Sequence, residues 1–143
     1  MNGSTRARKR FRRPAAVAAS ALLVAAAEAH HSIGAAYDAS QKRTIEGVVA
    51  EFQFVNPHPF VIVTVTAEGA EPESWRVEMD NRFELRDVGM TADTLKQGDR
   101  VVVTGSAGRT EPRTLYVRQL DRPADGFRYE QIGSQPRVSR TRR

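Results

Sequence analysis

Two runs of β-branched and aromatic residues meet at a four-residue block, Asn56-Pro57-His58-Pro59, that neither a strand nor a helix can run through. Each proline fixes its own φ, and each restricts the residue before it, so the chain must turn here. Before the block, Ile45, Val48, Val49, Phe52 and Phe54 mark a strand over 44–54, with a bulge allowed where Val48-Val49 breaks strict alternation. After it, Phe60 to Thr66 is the strongest strand, with Phe60 and Ile62 on one face and Val61, Val63 and Val65 on the other. A polar turn with Gly69 and Pro72 leads to a third strand over 74–79, where Trp75, Val77 and Met79 share a face. Asn81 is placed to cap a short helix that Gly89 can end. Strands over 100–104 and 113–120 follow. The order strand, strand, strand, helix, strand, strand is that of an OB-like fold, an all-β, five-stranded, partly open antiparallel barrel with one short helix. Another small antiparallel barrel or sandwich would use the same strands.

The first 29 residues are read as a separate segment. Arg6, Arg8, Lys9, Arg10, Arg12 and Arg13 precede an apolar run from Ala15 to Ala27, and Ala27-Glu28-Ala29 fits a small-x-small cleavage site. The apolar run is too short to span a bilayer, which needs about 20 residues, and matches a secretory signal peptide. Cleavage after Ala29 predicts a periplasmic or secreted protein of 114 residues with no stable transmembrane anchor. The segment also carries the net charge. The whole chain is +5, whereas residues 30–143 hold 16 basic and 16 acidic side chains. With that balance and with export, nucleic acid is not an expected partner. There is no cysteine, which excludes disulfides, thiolate ligands and haem attachment through cysteine. Residues 30–43 read as an irregular arm, 44–121 as the barrel domain, and 122–143 as a polar, flexible tail in which Phe127 and Tyr129 can dock.

Cleavage at that point would leave His30-His31 at the amino terminus, and the chain has one further histidine, His58. A terminal histidine offers an amine and a ring nitrogen to one metal ion, and His31 or His58 adds another nitrogen. Nitrogen-rich sets of this kind suit copper, while imidazole also suits zinc and nickel. The arm is long enough for His30 to run back along a strand of about eleven residues, roughly 36 Å, to His58. Asp38 is a candidate outer partner for such a histidine. Against this, the histidines can be an ordinary chain end, and His58 can donate to a carbonyl of its own turn. Asn56 and Trp75 are the other candidates for a ligand face, because the turn between strands one and two frames that face in OB folds. The aromatic residues are better read as core, and Asp80, Glu84 and Asp87 as a solvated acidic face. No nucleophile elbow, P-loop or Rossmann glycine pattern is present, so no catalytic residue is assigned.

Several short motifs together resemble a family of small exported bacterial domains that carry only a domain-of-unknown-function label. They are His30-His31-Ser32-Ile33, Tyr37-Asp38, Gly47-Val48-Val49, Asn56-Pro57-His58, Trp75 and Leu95-Lys96-Gln97-Gly98-Asp99-Arg100-Val101, spread over residues 30–121. The chain departs from that pattern at Ile33, where an aromatic is usual, and at Met90, where tryptophan is usual. The resemblance implies export and a small barrel, and brings no activity. The expectation is an exported, non-enzymatic binding or accessory protein, with copper the foremost cofactor candidate. A redox enzyme with a histidine-brace site, or a subunit docking on a periplasmic or membrane complex, are the alternatives. The partner, whether protein or small ligand, is open.

Overall fold

The Asn56–Pro59 block does separate the first two strands, and the strand it ends is far longer than its apolar residues suggest. In the computed structural model, which describes residues 33–141, β1 runs from Tyr37 to Gln53. It is followed by β2 (Phe60–Val65), β3 (Glu73–Glu78), the helix α1 (Arg82–Asp87), β4 (Arg100–Gly108), β5 (Thr114–Arg122), β6 (Phe127–Ile132) and β7 (Gln135–Arg140). The first half of β1 pairs with β4 and the second half with β2. β3 lies antiparallel to β2, and its end runs parallel to the start of β5, which closes a five-stranded ring. The OB order of strands is therefore present. β6 and β7 extend it beyond the second half of β5 as an antiparallel hairpin.

Local chemistry explains the bends. Gly47 sits where β1 passes from one partner to the other, and a Cβ there would lie 2.3 Å from the Thr64 carbonyl oxygen. A register shift between Val49 and Glu51 forms the bulge; Val49 stays in register with Val63, and its backbone N–H and carbonyl bond to Asp99 and Gly98 of the turn before β4. Asn81 caps α1 by accepting from the N–H groups of Phe83 and Glu84, both at 3.0 Å. The helix ends in a Schellman arrangement: Gly89, at φ 88°, donates to Arg86, and Met90 donates to Leu85. Val61, Val63, Val77, Met79, Leu115 and Val117 fill the barrel, each with no exposed side-chain surface.

Two expectations about the chain ends are corrected. The arm is not irregular from Tyr37 onward: residues 37–43 are strand, and Tyr37 is buried. Apolar periodicity could not reveal this, because the residues between Tyr37 and Ile45 are mostly exposed. Likewise most of the expected polar tail is the β6–β7 hairpin. Phe127 and Tyr129 dock as the two bulkiest of the fully buried side chains. Their exposed neighbours Arg128 and Arg137 give the stretch its polar appearance.

Candidate functional site

Ring closure sets the start of β1 beside the end of β3, and the Pro-rich turn folds onto the same place. The Pro59 carbonyl accepts from Met79 N–H at 2.9 Å, and the Pro57 carbonyl accepts from Arg82 N–H at 3.2 Å; the Asn56–Pro57 peptide is cis. Phe60 lies opposite Glu78 in the β2–β3 ladder, so His58, two residues earlier, comes over the Glu78 side chain. His58 Nδ1 meets Glu78 Oε1 at 2.5 Å, and the Tyr37 hydroxyl donates to Glu78 Oε2 at 2.7 Å. One carboxylate therefore holds the histidine from the turn and the tyrosine that begins β1.

This pairing favours the ionised partners. The Glu78 hydrogen bond raises the His58 pKa against the opposing effect of burial, and the charges of Glu78, Asp80 and Glu84 add to it. Burial of Glu78 disfavours its charge, but the bonds from His58 and Tyr37 outweigh this and hold its carboxyl below the ordinary range. Burial, then the bond to Glu78, pushes the Tyr37 phenol well above its usual range. With Glu78 ionised, Nδ1 carries the proton and donates. Nε2 makes no hydrogen bond among the described residues, and the His58 side chain is 20% exposed. A histidine whose Nδ1–H is held by a carboxylate is oriented and made more basic at Nε2, which is the arrangement of metal-bound histidines.

A second carboxylate stands two residues further on. Asp80 is buried, and accepts from the Tyr116 hydroxyl, from the Tyr129 hydroxyl at 2.5 Å and from Gln131 Nε2 at 2.7 Å. Gln131 in turn accepts from Arg118. The Tyr37 and Tyr116 rings lie 5.7 Å apart and join the two clusters. Asp80 is thus no part of a solvated acidic face. Its side chain ties β5 and β6 to the end of β3.

The other candidates are dispersed. Asp38 accepts from the N–H and hydroxyl of Ser40 and from Arg109, and does not contact His58. The side chain that bonds to His58 is Glu78, which accepts from Nδ1. Asn56 is exposed in the turn. Trp75 donates to Glu73 at 3.2 Å and lines a separate groove of about 270 Å³ with Arg43 and Arg113. His30 and His31, with the cleavage site, lie outside the described residues. Among the described residues no three His, Asp or Glu side chains converge as a metal set, and no helix is long and apolar enough to cross a membrane.

Strand order and site together define a small OB-like barrel that presents one carboxylate-held histidine. Residues 17–115 match the model of a family of unknown function (DUF6152), and the chain belongs to that family. Tyr37, His58, Glu78 and Asp80 fall inside the matched stretch, whereas Tyr116, Tyr129 and Gln131 fall outside it. No curated protein and no solved structure matches the chain.

Proposed function

We propose that this chain is an exported binding protein that holds one transition-metal ion, copper foremost, through His58 together with the terminal histidines His30 and His31. The observation that carries the reading is the carboxylate shared by His58 and Tyr37. It leaves His58 Nε2 oriented and unused by hydrogen bonding among the described residues, and it ties that imidazole to the residue where β1 starts. His31 precedes Tyr37 by six residues, which span at most roughly 20 Å. The terminal histidines therefore need not run back along the whole of β1 to share an ion with His58. Amine and imidazole nitrogens in one set favour Cu(II) among common divalent ions.

The test is a Cu(II) titration of protein exported with its own leader and shown by intact mass to begin at His30. Its comparison is a form with one added residue before His30. Tight one-to-one binding that is lost in the extended form and in His58→Ala supports the reading. Equal, weak binding in all three forms overturns it.

A further inference from the structure

The loop between β4 and β5 holds the chain just ahead of β1, and Arg109 makes the contacts. Residues 33–36 are helical and run directly into β1 at Tyr37. The last carbonyls of a helix have no partner within it, and a basic side chain is one way to satisfy them. Arg109 bonds to two of them. Its backbone N–H donates to the Ala36 carbonyl at 2.8 Å, and its Nε donates to the Gly34 carbonyl at 3.2 Å. Its Nη1 donates to Asp38 Oδ2 at 3.3 Å. Asp38 is turned to receive it, because Ser40 donates to the other oxygen, Oδ1, from its N–H at 3.0 Å and its hydroxyl at 2.7 Å. Ser40 lies where β1 breaks register with β4, between Asp38 and Lys42. Arg109 thus grips the chain on both sides of Tyr37, whose own hydroxyl is held by Glu78. The Arg109 side chain is 47% exposed, so little core packing depends on it.

We infer that Arg109 is a positioning residue of the proposed copper site, fixing the point from which His30 and His31 reach His58. The inference rests on the copper reading above. His31 precedes Gly34 by three residues, which span at most roughly 11 Å. With Gly34 held, the two histidines search a short radius about a fixed point. With Gly34 released, the residues up to Tyr37 must be ordered when the metal binds, at a cost of about tenfold in affinity for each residue fixed. Charge alone acts in the opposite direction. Arg109 is a cation, so removing it would strengthen the binding of another cation if electrostatics were its only effect. The sign of the change therefore separates positioning from charge.

The experiment compares the native protein with Arg109→Ala, Arg109→Lys and Arg113→Ala, each exported with its own leader and beginning at His30. Arg113 is a cation of the same loop that bonds instead to Glu73 and Arg76. Backbone ¹⁵N relaxation of the metal-free protein reads the clasp, Cu(II) titration reads its use, and a thermal melt reads the fold. In Arg109→Ala the order parameters of residues 34–36 are expected to fall from about 0.85 to about 0.6 or below. Copper affinity weakens about tenfold and the midpoint stays native. Arg109→Lys keeps the charge without the fork and falls between the two. Arg113→Ala leaves the order parameters unchanged and does not weaken copper. Unmoved order parameters in Arg109→Ala overturn the clasp. Lowered order parameters with equal or tighter copper binding overturn the positioning role, as does an affinity loss matched by a fall in midpoint. Weak copper binding by the native protein overturns the copper reading and with it this role, while the order parameters still decide the clasp.

Discussion

Glu78 and Asp80 stand two residues apart at the end of β3, and their surroundings give them opposite tasks. Both oxygens of Asp80 are saturated by donors of the barrel and the hairpin, and Gln131, one of those donors, is itself held by Arg118. Glu78 also has both oxygens bonded, but its His58 partner ends in a ring nitrogen with no hydrogen bond among the described residues. A carboxylate whose network closes within the protein stabilises the fold. A carboxylate whose network ends on an accessible imidazole leaves a group free to act on something else. Exposure follows the same division: Asp80 is 4% exposed, whereas the Glu78 side chain is 21% exposed.

The strongest way to break this comparison is to remove the elements that Asp80 holds. Ending the chain at Asp125 deletes Phe127 and Tyr129, both buried in the core. Loss of a buried aromatic costs about 3–5 kcal/mol, so two such losses should abolish cooperative thermal unfolding. A truncated chain that melts at the native midpoint would show the hairpin to be an appendage. Next, Asp80→Ala strips the acceptor from two buried hydroxyls and should cost about 3 kcal/mol or more in urea unfolding. Single hydroxyl deletions sharpen the contrast. Tyr129→Phe should cost about 1–1.5 kcal/mol and Tyr37→Phe about 0.5–1 kcal/mol, because only the first sits wholly in the core. A reversed order would move the structural centre to Glu78.

The smallest expected effect is the pH dependence contributed by the His58–Glu78 pair. The raised His58 pKa contributes stability that is complete below the ordinary histidine value of 6.5 and is lost as pH rises through the folded value. The lowered Glu78 pKa contributes stability that is present above the ordinary value of 4.5 and is lost as pH falls through the folded value. The midpoint difference between native protein and His58→Gln should therefore be greatest near about pH 5.5 and shrink toward about pH 9. A difference that grows with pH would contradict the pairing.

What could be read in the residues themselves follows the same physical lines. The barrel was legible because Phe60–Val65 alternates cleanly, because prolines forbid continuation at 57 and 59, and because Asn81 and Gly89 carry cap chemistry at the right spacing. His58 stood out as the third of three histidines. Its partner did not, because Glu78 lies on the strand face opposite Val77 and Met79 and reads as solvent-facing. Only the β2–β3 register, set across the hairpin at Phe60 and Glu78, brings it to the turn. Asp80 was hidden for a related reason. The donors that bury it, Tyr116, Tyr129 and Gln131, come from 36 to 51 residues further along the chain. The hairpin that supplies two of them is rich in charge on its outer side. Spacing reports faces, whereas saturation of a buried carboxylate depends on long-range pairing.

The most direct test of the division between the two carboxylates is a side-by-side Cu(II) titration and thermal melt of Glu78→Gln and Asp80→Asn in protein beginning at His30. The account predicts that Glu78→Gln weakens copper binding by about 10–100-fold with a nearly native midpoint. It predicts that Asp80→Asn lowers the midpoint and leaves the affinity of the folded protein unchanged. Copper affinity unmoved by Glu78→Gln, or weakened equally by both substitutions, would contradict it.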